Sequence, residues 1–138
     1  MSTGVAVSDE CIDLYSEFKL RKKYKYIIFK LADDNKEIIV EKKAETGNYE
    51  DFLECLPSDE PRYAVYDFEY EKPGEGQRSK ITFYAWIPDT SKVRQKMLYA
   101  ASKDALRKKL VGLAIEIQGT DLSEVDYDAV LEKASRSN

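Results

Sequence analysis

The sequence predicts a single α/β layer sandwich, with a mixed central sheet of about five strands and helices on both faces. Two runs, RYAVYDFEY (62–70) and SKITFYAWI (79–87), carry apolar groups on both faces, as central strands covered from both sides require. Stretches with helical apolar spacing lie before, between and after the strand-like runs. The 138 residues suit one domain, which at this size buries roughly 68% of its unfolded surface.

Taken in order, residues 1–7 are expected to be a flexible N-terminal segment. Residues 8–18 read as a helix, with Ser8 as N-cap, Asp9 and Glu10 in the first turn, and Cys11, Leu14, Tyr15 and Phe18 on one stripe. YKYIIFKL (24–31) reads as a strand, Asp33 to Lys36 as a turn, and 37–43 as the return strand. Residues 48–55 give a short helix capped by Asn48, with Tyr49, Phe52, Leu53 and Leu56 inward. Between the two central strands, EKPGEGQR should be a polar hairpin loop projecting into solvent. Asp89 or Thr90 is expected to cap a helix over 90–101, and Ser102 a second one to about Leu113. Asp104 and Lys108 make an i, i+4 pair. AIEIQ (114–118) is a short strand. Ser123 should cap a last helix with Tyr127, Val130, Leu131 and Ala134 on its core face.

Composition narrows the function. Hydrophobic residues at 43%, with 12% aromatic, exclude a disordered chain. No apolar run is long enough to span a membrane, and MSTGVAVSDE lacks the pattern of a signal peptide, so a soluble intracellular protein is expected. There is no histidine, which removes Cys-His and Ser-His-Asp machinery and most zinc sites. Cys11 and Cys55 both read as structural. No glycine spacing fits a phosphate loop. A conventional enzyme is disfavoured, and no cofactor or metal is expected.

The net charge of −4 hides an uneven spread. Residues 92–109 hold seven bases and one acid, which leaves the remaining chain at −10. A second basic cluster comprises Lys19, Arg21, Lys22, Lys23 and Lys25. Such a segment on an acidic protein suggests an acidic partner, although a solvated helix surface explains the bases as well. No nucleic-acid reading motif is present.

The stretches YAVYDFEYE (63–71), RSKITF (78–83), WIPDTSKVRQKMLYAASKDALRKKL (86–110) and IQGTDLSEVDYDAVLEK (117–133) resemble the actin-depolymerising factor/cofilin family along nearly the whole chain. Coactosin-like, twinfilin-like and glia-maturation-factor-like modules share that fold. The resemblance implies binding of monomeric actin, preferably ADP-bound, and of filamentous actin, with severing and faster subunit loss. It implies a monomer in the cytoplasm, at the actin cytoskeleton. A nuclear location stays open, because the Lys22–Lys23 cluster is short and lies beside a strand.

Carried over by resemblance, the monomer-binding residues are Ser2, Thr3, Gly4, Val5, Arg94, Lys96 and Met97. The filament-binding residues are Arg78, Lys80, Glu132, Lys133 and Arg136. Glu132 and Arg136 also form an i, i+4 pair, which explains both without a partner. Lys103, Arg107, Lys108 and Lys109 are a candidate patch for anionic phosphoinositides. Thr3, with Ser2 beside it, matches the family's regulated serine. On the helical wheel Val93, Met97, Ala100 and Ala101 form one apolar sector, while Leu98 and Tyr99 lie in others, and the wheel alone leaves open which faces the sheet. Four residues depart from the family's pattern: Gln77 where a base is common, Lys92 where proline is common, Arg21 in place of a glycine at a helix C-cap, and Thr3 in the place of the regulated serine. Two further readings stand beside severing: a filament or branch-complex binder that does not sever, and a carboxylate-dependent enzyme with acids converging in a pocket.

Overall fold

The two apolar runs pair with each other and organise everything else. In the computed structural model, which describes residues 4–136, β4 (Arg62–Lys72) and β5 (Gly76–Trp86) form an antiparallel ladder from Arg62↔Trp86 to Lys72↔Gly76. Strand alternation then divides their side chains between two cores. Tyr63, Val65, Phe83 and Ala85 join one core with Cys11, Leu14, Tyr15 and Phe18 of α1 (Asp9–Leu20) and Tyr99 and Leu106 of α3 (Val93–Arg107). Ala64, Tyr66, Phe68, Tyr84 and Trp86 join the other. It is closed by Tyr49 and Phe52 of α2 (Tyr49–Glu54), Val125 of α4 (Leu122–Val125), and Val130 and Ala134 of α5 (Tyr127–Arg136).

The sheet has six strands in the order β1-β3-β2-β4-β5-β6. Five are the expected ones: β2 (Tyr26–Leu31), β3 (Glu37–Ala44), β4, β5 and β6 (Ile115–Gly119). The sixth, β1 (Ala6–Val7), lies in the segment expected to be flexible. It pairs in parallel with Glu37 and Ile38, and Ala6 N–H donates to the Lys36 carbonyl at 3.0 Å. Two residues are too short for a period-2 signal, so only the open edge of β3 reveals this strand.

Other boundaries moved for local reasons. The expected loop at 71–78 narrows to a turn at Pro73-Gly74-Glu75, with Glu75 N–H donating to the Lys72 carbonyl and Gly74 at φ +80. The helix break expected at Ser102 is absent. α3 runs unbroken through it, and Ser102 lies buried between Tyr99 and Leu106 on the sheet-facing stripe. The alanines around it are strong helix formers, and packing outweighs a capping preference. Neither Asp89 nor Thr90 caps α3, because the cap position is Lys92 and the Thr90 hydroxyl bonds the Ser58 carbonyl instead. Asp104 pairs with Arg107 at 3.1 Å rather than with Lys108. Asp121, not Ser123, caps α4, and Asp126 Oδ1 receives Ala129 N–H in the first turn of α5. Tyr127 stays 40% exposed, so the core face of α5 is Val130 and Ala134, with Leu131 half-buried. Ser8 and Asn48 cap as expected, the latter in a full capping box with Asp51.

Tyr99 ties α3 to the sheet. Tyr99 Oη accepts Leu31 N–H at 2.9 Å, beyond the last β2–β4 pair at Phe29↔Tyr63. The Tyr63 hydroxyl in turn donates to the Tyr99 carbonyl. Tyr99→Phe should therefore lower unfolding free energy in urea by about 1–3 kcal/mol, since a buried N–H loses its acceptor while the ring volume is kept.

With no histidine to titrate, stability should be flat from about pH 5 to pH 9. Below that, Glu69 and Glu75 matter, because lysine and arginine partners hold their carboxyls under the ordinary 4.5. A lowered folded pKa stabilises above the ordinary value, and the gain disappears as pH falls through the folded one. Above it, burial raises the Cys11 thiol from 9.0 and pushes Tyr15, Tyr26 and Tyr66 up to about 12. Their contribution is complete below the ordinary values and is lost as pH climbs toward the folded ones. Denaturation midpoints across pH should show this plateau with two falling shoulders.

Candidate functional site

The ambiguity on the α3 wheel resolves in one direction. Tyr99, Ser102 and Leu106 face the sheet, so the opposite sector must face solvent. Val93 is 70% and Met97 67% exposed, and Ala100 and Ala101 are exposed beside them. Arg94 is exposed and Lys96 half-buried, and among the described residues neither has a carboxylate partner. Val93 is as open as Met97; the wheel grouped the two, but no sequence motif singled Val93 out.

The start of α3 is electrostatically uncompensated. Lys92 makes no side-chain cap bond, and the first turn holds no acid. The positive end of the macrodipole thus carries Lys92, Arg94 and Lys96, where a carboxylate would be favourable. β1 contacts α3, so the chain leading from Gly4 and Val5 arrives on this side of the molecule. Val5 is half-buried against the α1–α3 core, while Gly4 is exposed. Ser2 and Thr3 lie outside the described residues.

The expected filament-side residues gather elsewhere, at the projecting end of the β4–β5 hairpin. Arg78 Nη2 bonds Glu75 at 2.6 Å. Lys80 Nζ donates to the Ala134 carbonyl at 2.9 Å, and Tyr70 Oη donates to the same carbonyl at 3.1 Å. Those bonds join the hairpin to the last turn of α5, where a cation suits the dipole. Glu132 and Arg136 do pair, at 3.1 Å, and Lys133 donates to the Glu116 carbonyl at 2.7 Å.

The third group is divided. Arg107 bonds Glu116 at 2.6 Å and Asp104 at 3.1 Å, and the bond to Glu116 raises its pKa further. Lys103, Lys108 and Lys109 have no acid partner among the described residues. They sit on or just past the last turn of α3, where bases also offset the dipole.

A groove of 520 Å³ between α2 and α4 is lined by Leu53, Leu56, Trp86 and Leu122, with Glu50, Glu54, Asp121 and Asp126 at its rim. Ser123 holds the Asp121 carboxyl below the usual range, opposite to the raised carboxyl that acid catalysis needs. Among the described residues no group of three or more metal-ligating side chains comes together, and no helix is long and apolar enough to cross a membrane.

The family described as cofilin/tropomyosin-type actin-binding protein matches residues 4–135. This chain belongs to that family. The family is a non-enzymatic one, and its partner is actin. The cofilin of Mycosarcoma maydis is 58% identical over 137 residues, covering 99% of both chains. The cofilin of Saccharomyces cerevisiae is 54% identical, covering 97% of this chain and 94% of that one. The crystal structure of Streptomyces griseoflavus cofilin superposes with a TM-score of 0.92 at 54% identity, covering 98% of this chain and all of that one.

The uncapped start of α3 gives a direct test of the electrostatic reading. Lys92→Asp supplies both a cap and a favourable charge, and should raise unfolding free energy by about 1 kcal/mol. The same change should weaken actin binding if the family's acidic partner meets this end of the helix. Urea denaturation and a monomer-binding titration check the two halves.

Proposed function

We propose that this chain binds monomeric and filamentous actin through two separable surfaces, and that it severs filaments and speeds their depolymerisation. The observation that carries this is the exposed strip of Val93, Met97, Ala100 and Ala101, bordered by Arg94 and Lys96, which have no acid partner among the described residues. An apolar helix face of this kind lies in a groove, while bases at its edge meet acids on the rim. Gly4 and Val5 arrive on the same side of the molecule, and the family resemblance adds Ser2 and Thr3 to the contact. Arg78, Lys80, Glu132, Lys133 and Arg136 form the filament surface, joined by the Lys80–Ala134 bond. Binding of ADP-actin is preferred over the ATP form, and the working form is a monomer in the cytoplasmic actin cytoskeleton.

Regulation follows from charge. Phosphorylation of Thr3 or Ser2 adds about −1.5 to −2 charges at an interface with an acidic partner. Lys103, Lys108 and Lys109 attract phosphoinositide headgroups. Arg107 contributes least, because Glu116 and Asp104 already occupy its guanidinium.

The test separates the surfaces. Arg94→Ala with Lys96→Ala should weaken monomer and filament binding at least tenfold without loss of folding, since alanine suits an exposed helix position. Arg78→Ala with Lys80→Ala should impair filament co-sedimentation and severing but spare monomer affinity within about twofold. Equal loss of monomer affinity in the second pair would show a single surface. Thr3→Asp should behave like the first pair, and wild-type monomer affinity in it would remove the N-terminus from the contact.

A further inference from the structure

Helix α1 ends with Arg21 in a right-handed conformation at φ −108, and the next residue, Lys22, takes φ +52. The glycine the family commonly carries is thus replaced at a position without strain, and the strained position is its neighbour. Among the described residues other than glycine, only Lys22 and Asn35 have positive φ. Asn35 sits in the β2–β3 turn, and asparagine tolerates the left-handed region. Lysine does not, and glycine is the residue that usually follows a helix in this conformation.

The surroundings of Lys22 explain what a lysine offers there. The other bases of its cluster that touch acids are already paired: Lys23 with Glu17 at 3.3 Å and Lys25 with Glu69 at 2.7 Å. Lys22 has no ion pair among the described residues. Its Nζ stands 3.5 Å from Ser79 Oγ, whose hydroxyl donates to Asp67 at 2.6 Å. Ser79 lies between Arg78 and Lys80, and alternation along β5 turns it to the opposite face of the strand. Arg78 and Lys80 therefore occupy the α5 side of the hairpin, and Lys22 stands on its α1 side. We infer that Lys22 is a third cation of the filament-binding surface, which grips the hairpin from both faces, and that its strained backbone persists because the charge is needed there.

This rests on the reading of Arg78 and Lys80 as filament contacts, so their double alanine variant runs beside Lys22→Gly, Lys22→Ala and Lys22→Arg. Filament co-sedimentation, monomer titration and thermal unfolding are measured for each. Lys22→Gly should raise the melting temperature by about 2–4 °C while weakening filament affinity about fivefold, a change of about 1 kcal/mol. Lys22→Ala should lose the same affinity without the gain in melting temperature. Lys22→Arg should keep filament affinity within about twofold, and monomer affinity should stay constant throughout. Wild-type filament affinity in Lys22→Ala, beside a weakened Arg78/Lys80 variant, overturns the assignment of Lys22 alone. Wild-type affinity in the Arg78/Lys80 variant overturns the filament surface, and this inference with it. An unchanged melting temperature in Lys22→Gly overturns the argument from strain.

Discussion

The contact between Tyr99 and the sheet is the constraint on which the functional surface depends. Its hydroxyl takes the N–H of Leu31 and its carbonyl takes the hydroxyl of Tyr63, so one residue fixes α3 in both height and rotation. Rotation decides function. With Tyr99, Ser102 and Leu106 inward, 3.6-residue geometry leaves Val93 and Met97 outward. A turn of the helix by one residue would bury the apolar strip and expose tyrosine. Burial also keeps the Tyr99 phenol above its ordinary pKa, so the hydroxyl holds its proton and the bond geometry is constant near neutrality.

The two cores divide the labour of the molecule. The core under α1 and α3 supports the strip and the N-terminal approach through β1. Half of the buried residues in the core under α2, α4 and α5 are aromatic. In it Tyr49 packs edge-on to Tyr66 and Phe68, and its hydroxyl donates to the Val125 carbonyl at 2.6 Å. That core fixes α5 against the hairpin, and the Lys80 and Tyr70 bonds to Ala134 complete the connection. Lys22 aside, the two proposed surfaces therefore rest on different faces of one sheet, which gives a physical reason for their mutations to separate.

Much of this was legible in the residues. The strands at 62–70 and 79–87 announced themselves because both of their faces are apolar, and the α1 stripe because four core residues share one spacing. What stayed hidden depended on contacts between distant segments. Ala6 and Val7 form a strand only because β3 offers an edge. Ser102 looks like a cap and becomes a core residue only when Tyr99 and Leu106 press on the sheet beside it. The sector that faces solvent could not be chosen from the wheel, since Tyr99 and Met97 are both apolar. The family resemblance supplied that choice, and the Tyr99 bonds supply its cause. The strain at Lys22 had a near-miss in the sequence, where the missing glycine pointed to Arg21, one position early.

The hairpin has a further consequence. The last edge bonds are Asp67 N–H to the Lys25 carbonyl and Ala114 N–H to the Ile81 carbonyl, and beyond them the hairpin is a two-stranded ribbon with no further strand beside it among the described residues. Open edges invite other strands, and proteins guard them with charge. Here Glu69, Glu71, Lys72, Arg78 and Lys80 stand along the ribbon. The bases proposed to hold a filament thus also act as gatekeepers against self-association, and solubility and partner binding draw on the same side chains. A family member that traded these charges for apolar contacts would have to shorten the ribbon or cover it.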